Sequence, residues 1–480
     1  MNLSQRRDGW IALGLGAFAL ALRLLVMVRW PLDGLYGQDP YAYFNHALAM
    51  RDLLTSGTSL LSLFWPSGYS ALLTTAFTVF GETAATGQAL SLFLGAALSP
   101  LLYALARVAG VSRPGAIMAG ALMAVNGQAV QSSVVLMADI PALFWACLSA
   151  LLLLIGLDDG RARWLAASGL VLGLAVITRW ANLLLLVPFA LAFAVGRGRW
   201  RYAAVGVSAF ALVLLPQFLI SATSPYPTLN HAWVTGWSPV NAVLRDFINV
   251  DGAFHYAQPN GLFYAAPAFD AYFLAPLAIP LLVIGLFALR GPARWLFASW
   301  ALVGWLFLTG IPYQNIRFGL LLTPPLAVLA GAGFGWVWLK ANERRVVRWA
   351  LGAAVAFGIA WMLAAALPII GTFMDRQLAD RDAVRWAAAR MPPSVTVYAS
   401  GLTLALQHEL DRPIRELYGI EPAALVAEAS PGDRVLINRW QIEHQWEGTV
   451  LQEAVIQLEA AHGLTRMGRS GNYTLYRIAH

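Results

Sequence analysis

Between Trp10 and Pro368 the chain alternates apolar runs of close to twenty residues with short polar breaks. A run of that length crosses ~30 Å of hydrocarbon as a single helix. Counting the runs predicts spans at 10–30, 85–106, 114–131, 139–157, 164–179, 181–196, 202–221, 271–289, 295–311, 318–339 and 346–368, about eleven in all. The first follows Arg6 and Arg7 and lacks the small-residue pattern of a cleaved leader, so it is expected to be retained. Beyond Pro368 the long runs stop and short alternating elements begin. Helices are predicted at 376–390, 402–410 and 449–461, strands at 395–399 and 434–438, and a hairpin over 464–478 around Ser470-Gly471-Asn472. The predicted fold class is therefore mainly α: a polytopic transmembrane helical bundle over 1–370 and a small α/β domain over 371–480.

The basic residues orient the bundle. With the N-terminus cytoplasmic, Arg107/Arg113, Arg161/Arg163, Arg197/Arg199/Arg201, Arg290/Arg294 and Lys340/Arg344/Arg345/Arg348 all fall on the inner side, as the positive-inside rule requires. The C-terminal domain then lies outside. This sorting holds only if the apolar stretch 64–80 does not cross; Pro66 and Gly68 near its start suit an interfacial or re-entrant segment. Two long outer loops result, 31–84 and 222–270. Loops of such length are functional or disordered, and the aromatic content of both argues against disorder.

Composition agrees. Of the 480 residues, 59% are hydrophobic and 12% charged, with a mean hydropathy of +0.62. Soluble domains carry roughly twice that share of charge, and core growth stops near ~250–300 residues. The bilayer must solvate most of the chain. The single Cys147 can form no internal disulfide. A net charge of +7 invites a nucleic-acid reading, but 31 of the 32 basic residues are arginines, with Lys340 the one lysine, and they sit in short clusters between apolar runs. No nucleic-acid partner is expected.

Four charged residues could carry chemistry. Asp39, in Gly37-Gln38-Asp39-Pro40-Tyr41-Ala42-Tyr43, stands just beyond the outer end of the first span. A partly desolvated carboxylate there suits a base that takes a proton from a hydroxyl; equally, Asp before Pro caps a helix. Asp139, in Leu136-Met137-Ala138-Asp139-Ile140-Pro141, opens its span at the same membrane face and has the same two readings. Together, two acids leading into an apolar bundle at one face are functional candidates. Arg317, in Gln314-Asn315-Ile316-Arg317-Phe318, and Arg179, in Thr178-Arg179-Trp180, are outer-side arginines that run against the topology bias. They fit an anionic partner such as a phosphate, or they snorkel to headgroups. The outer histidines His46, His231 and His255 show no metal-ligand spacing. The run Gly331-Ala332-Gly333-Phe334-Gly335 lies within a span, where small residues signal close helix packing.

In their order along the chain these residues resemble the GT-C superfamily of integral-membrane glycosyltransferases, in its protein mannosyltransferase-like and aminoarabinose-transferase-like branch. The resemblance covers roughly 5–370. It rests on Asp39 with Tyr41 and Tyr43, Trp65-Pro66-Ser67-Gly68-Tyr69, Asp139 before Pro141, Arg179, and Arg317-Phe318 ahead of Thr323-Pro324-Pro325. It implies transfer of a sugar from a polyprenyl-phosphate-linked donor to a glycan, lipid or protein acceptor at the outer face of the inner (cytoplasmic) membrane, with inversion. Asp39 would be the general base and Asp139 its helper or a cation ligand. Arg317 and Arg179 would bind the donor phosphate, with Tyr41, Tyr43, Tyr69, His255 and Tyr313 lining the substrate. Many relatives carry two adjacent acids in the first loop where this chain has Asp39-Pro40, which leaves a divalent metal ion on Asp39 and Asp139 open. Two other classes compete: a secondary transporter or flippase, which would place its charges near the midplane and often repeat internally, and an envelope scaffold.

Overall fold

Residues 3–57, 65–196, 200–223, 236–249, 251–341 and 344–480 are described by a computed structural model. His231, Arg197, Arg199 and part of the loop 222–270 lie outside the described residues.

Every predicted span falls on helix. Among the described residues six helices are long and apolar enough to cross a bilayer: 6–29, 84–108, 139–159, 200–219, 316–340 and 345–388. The apolar helices 113–125, 162–178, 180–195 and 276–288 are shorter, and the predicted span 295–311 lies on Gly291–Thr309. The span expected at 114–131 is broken in two, Arg113–Val125 and Gly127–Ser133. At the break Asn126 leaves helical geometry; its Oδ1 accepts from Ala129 N at 2.8 Å and its Nδ2 donates to the Phe273 carbonyl at 2.9 Å. A side chain that satisfies the helix start and a distant carbonyl at once makes the kink stable.

The two ends of the bundle are chemically different. At one end Asp8 takes bonds from Arg113 Nε at 2.8 Å and from the Tyr103 hydroxyl at 2.5 Å. At the other, Gln88 Nε2 bridges the Leu32 and Val134 carbonyls at 2.8 and 2.7 Å. The helix Ser67–Phe80 starts and finishes at this second end: Pro66 lines a cavity with Asp39, and Glu82 just after it pairs with Arg51. Both of its ends therefore lie at the same end of the bundle. Arg23, wholly buried in the first helix, ties that helix to the broken one through Ser133 Oγ at 3.0 Å and the Ala124 carbonyl at 3.3 Å. The glycine run packs as expected: Gly331 lies against Gly115, and a Cβ on Gly333 would overlap the Leu281 carbonyl.

The last span does not end near Pro368. Helix Arg345–Ala388 runs 44 residues without interruption into the C-terminal domain, the one expected on the outer side. Its buried positions Ile370, Met374, Gln377, Val384 and Ala387 keep a helical three-to-four spacing past the point where hydropathy falls, so burial against the domain replaces burial in lipid. That domain is a five-stranded sheet ordered Arg415–Glu416, Val397–Ala399, Arg434–Ile437, Tyr473–Ile478, Leu464–Ser470. The first three strands are parallel and the last two join antiparallel, the predicted hairpin included. Its inner face shares one hydrophobic core with the first outer loop, joining Leu35, Tyr43 and Phe44 to Leu406, Leu436 and Leu475.

Candidate active site

Asp39 is the first residue of helix Asp39–Ser56, entered through Gly37 in the left-handed region at φ +52°. The capping position belongs to Gln38, and no side chain caps this end. Asp39 instead faces across the loop boundary, its Oδ2 3.5 Å from Arg317 Nη2. Asp139 repeats the arrangement. It opens helix Asp139–Asp159 behind Ala138, caps nothing, and holds Arg179 Nη1 2.6 Å from its Oδ1. The capping alternative fails for both aspartates. Their helix starts still favour the negative charge through the backbone dipoles.

The arginines are placed by the ends of other elements. Arg179 leaves helix Ala162–Thr178 in an extended conformation, with its guanidinium 5.3 Å above the Phe318 ring. Arg317 sits in the 3-10 turn Ile316–Leu322, where Asn315 Oδ1 accepts from its main-chain N at 3.0 Å. Its Nη1 reaches to 3.7 Å from Met137 Sδ.

All four charged residues line one cavity of about 370 Å³. Tyr43, Trp65, Trp180 and Phe318 form aromatic walls, with Thr178 and Asn182 among the polar positions. Among the described residues two buried polar atoms there have no hydrogen-bond partner: Oδ2 of Asp139, a residue only 5% exposed, and Nε1 of Trp180. An unsatisfied acceptor and an unsatisfied donor beside two guanidiniums form a surface ready to hydrogen-bond a polar ligand. Tyr36, which sequence reasoning passed over, stands close by. Burial pushes its hydroxyl up to about 12, opposed by the positive charge of Arg317. Trp180, Asn182 and Met137 were missed in the same way, although each lies within three residues of a residue singled out.

The expected lining residues are only partly brought together. Tyr43 lines the cavity. Tyr69 stands one layer behind it, fully buried, edge-on to Tyr43 at 4.9 Å with its hydroxyl 3.3 Å from Ser91 Oγ. Tyr41 is turned away, 5.5 Å from the His408 ring of the outer domain. His255 is 75% exposed on a hairpin, paired with Asp246. Tyr313 packs on Phe254 at 5.2 Å, beside the Arg317 turn but outside the lining. Tyr41, Tyr69, Tyr313 and His255 therefore lie outside the lining of this cavity, their rings spent on packing or facing solvent. His46 also lies outside the lining.

Known proteins share this fold. Residues 66–222, about one third of the chain, match the family described as dolichyl-phosphate-mannose-protein mannosyltransferase. No curated protein matches the sequence. Among solved structures, ArnT from Cupriavidus metallidurans in the apo state superposes with a TM-score of 0.68 at 15% identity, covering 99% of both chains. The same protein bound to undecaprenyl phosphate gives 0.67 at 13% identity, over 98% of this chain and 99% of that one. The archaeal oligosaccharyltransferase AglB from Archaeoglobus fulgidus, in complex with an inhibitory peptide and a dolichol-phosphate, gives 0.63 at 13% identity, over 100% of this chain and 75% of that one. The chain shares the fold of these solved structures. The resemblance read from the order of Asp39, Asp139, Arg179 and Arg317 is borne out at the level of fold and of the matched family segment.

Proposed function

We propose that this chain transfers a sugar from a polyprenyl-phosphate-linked donor to an acceptor at the outer face of the cytoplasmic membrane, in the cavity that joins Asp39, Asp139, Arg179 and Arg317. The convergence of two arginine–carboxylate pairs from four separate helix ends on one aromatic-walled cavity carries this reading. The fold likeness to a protein solved with undecaprenyl phosphate supports the donor class. A lipid-linked donor is held in the bilayer with its phosphate at the interface, the level at which the outer helix ends stand.

In this reading the donor phosphate enters between Arg317 and Arg179. Asp39 takes the proton from the acceptor hydroxyl or amine as that atom attacks the anomeric carbon. The bond from this carbon to the phosphate oxygen breaks on the opposite side, with inversion, and its electron pair stays on the departing polyprenyl phosphate. Negative charge grows on the phosphate as the bond breaks, so preorganised guanidiniums stabilise the transition state more than the ground state. Asp139 holds Arg179 in place and offers its free Oδ2 to the sugar or acceptor.

The donor set does not fit a resident divalent ion. Among the described residues no three His, Cys, Asp or Glu side chains come together as metal ligands, and each cavity aspartate faces a guanidinium. We assign the electrostatic work to the arginines.

The test is a panel of undecaprenyl-phosphate-linked hexoses and pentoses given to the purified chain with envelope membranes as acceptor, reading released undecaprenyl phosphate. At least one donor should turn over in wild type and none above background in Arg317→Gln. Full activity of Arg317→Gln, or solute transport in proteoliposomes without glycosylated product, would overturn the reading.

A further inference from the structure

The outer domain reaches both partners of the Asp39–Arg317 pair through polar contacts. On the Asp39 side the contact is Gln38, the residue immediately before the aspartate. Its Oε1 accepts from Leu404 N at 3.1 Å, and its Nε2 donates to Glu416 Oε2 at 3.2 Å. Helix Thr403–Leu410 has no capping side chain of its own. Gln38, from 366 positions earlier, satisfies one of that helix's free N–H groups. Both ends of the Gln38 amide are thus committed to the outer domain, while its main-chain carbonyl starts the helix of Asp39 by accepting from Ala42 N at 3.0 Å.

On the Arg317 side the contact runs through the hairpin Asp246–Asn249 and Gly252–His255. At its tip Ala253 N donates to the Gln445 carbonyl at 2.7 Å and Gln445 Nε2 donates to the Asp251 carbonyl at 2.8 Å. The tip fits Gln445 so closely that a Cβ on Gly252 would overlap the Gln445 carbonyl. Beside the hairpin turn Asn249 Nδ2 donates to the Pro312 carbonyl at 3.0 Å, and farther along the second strand Phe254 packs on Tyr313, three residues ahead of the turn that carries Arg317.

We propose that the outer domain is a positioning clamp for the reaction: Gln38 on one arm and Gln445 on the other set the approach of Asp39 to Arg317. It rests on the glycosyltransferase reading and adds to it two residues that touch neither donor nor acceptor. Gln38 lacks any place in the cavity lining, so its effect passes through Asp39. A misplacement of about 1 Å in a reacting group costs on the order of a hundredfold in rate, whereas binding to an intact arginine is little changed. The clamp therefore predicts a split between the two kinetic constants.

The reciprocal pair Gln38→Glu and Gln38→Glu with Glu416→Gln reads this out. The single variant sets carboxylate against carboxylate; the double variant restores one donor and one acceptor across the contact with the roles exchanged. With the best-used member of the undecaprenyl-phosphate sugar panel, Gln38→Glu should lose at least tenfold in kcat with its KM for donor within about threefold of wild type. The double variant should regain most of the loss. Wild-type kcat in Gln38→Glu, or a folded double variant no better than the single, would overturn the clamp. Gln445→Ala, at a half-buried position of the outer domain, is measured alongside. If Gln38→Glu does not yield folded protein, Gln445→Ala carries the test with the same expected kcat loss, and its retention of wild-type kcat refutes the proposal. A dead Asp39→Asn beside an unimpaired Gln38→Glu rejects the clamp alone. An active Asp39→Asn rejects the underlying reading of the site.

Discussion

Replacing Asp39 by asparagine should separate binding from turnover in opposite directions. Asp39 and Arg317 stand 3.5 Å apart. At that distance, in surroundings of effective dielectric near 20, two unit charges attract by about 5 kcal/mol before solvation is counted. Asp39 is 36% exposed and Arg317 19%, so screening and side-chain entropy reduce the net to about 1 kcal/mol. An incoming phosphate competes with Asp39 for the guanidinium and must overcome that amount. Asp39→Asn removes the competitor, and undecaprenyl phosphate should bind about fivefold more tightly. Turnover should fall by about 10²–10⁴, the contribution of a general base. The assay is titration of undecaprenyl phosphate into the purified variant in detergent, set beside release of carrier from the donor panel. Retained turnover refutes Asp39 as base. Weaker carrier binding refutes the competition, and with it the placing of the phosphate on Arg317.

The second pair should behave differently, because Asp139 is 5% exposed and its contact is 2.6 Å. Arg179→Gln strands a buried carboxylate and should cost about 3–5 kcal/mol, seen as a lowered apparent unfolding midpoint; adding Asp139→Asn should restore the midpoint without restoring turnover. Equal midpoints for wild type and Arg179→Gln would contradict this. Glu416 gives a pH dependence: burial raises its carboxyl above the ordinary 4.5, and bonds from Thr403, Tyr418, Leu417 and Gln38 oppose the rise. The folded state then holds a proton that the unfolded chain releases, so its stabilising contribution is full below the ordinary value and is lost as pH rises through the folded one. The unfolding midpoint of Glu416→Gln should gain on wild type as pH rises above the ordinary carboxyl value of 4.5; a constant gap would refute it.

Particular residues show what was legible. The stretch 64–80 is as apolar as a span, and the sorting of distant arginines led to the expectation that it does not cross; the helix Ser67–Phe80 begins and ends at one end of the bundle. Asp39 and Asp139 each carried two readings because Asp before a helix is locally ambiguous. Nothing in the local pattern distinguishes a cap from a carboxylate aimed at an arginine 278 or 40 positions away. The break at Asn126 was hidden because the apolar pattern continues through it, and its cause is the Phe273 carbonyl far along the chain.

What the sequence by itself determined is what lipid and water decide residue by residue: the helical spans, which ends carry the arginine clusters, and the presence of Asp39, Asp139, Arg179 and Arg317 at the opposite face. Hydropathy and charge asymmetry act over one helix or one loop, so they can be read locally. The tertiary structure alone decided the pairing of Asp39 with Arg317 and Asp139 with Arg179, the turning of Tyr41 and His255 out of the cavity, and the grip of the outer domain on Gln38. Those contacts depend on the lateral order and tilt of helices, which close packing settles over the whole molecule and no short stretch of sequence encodes.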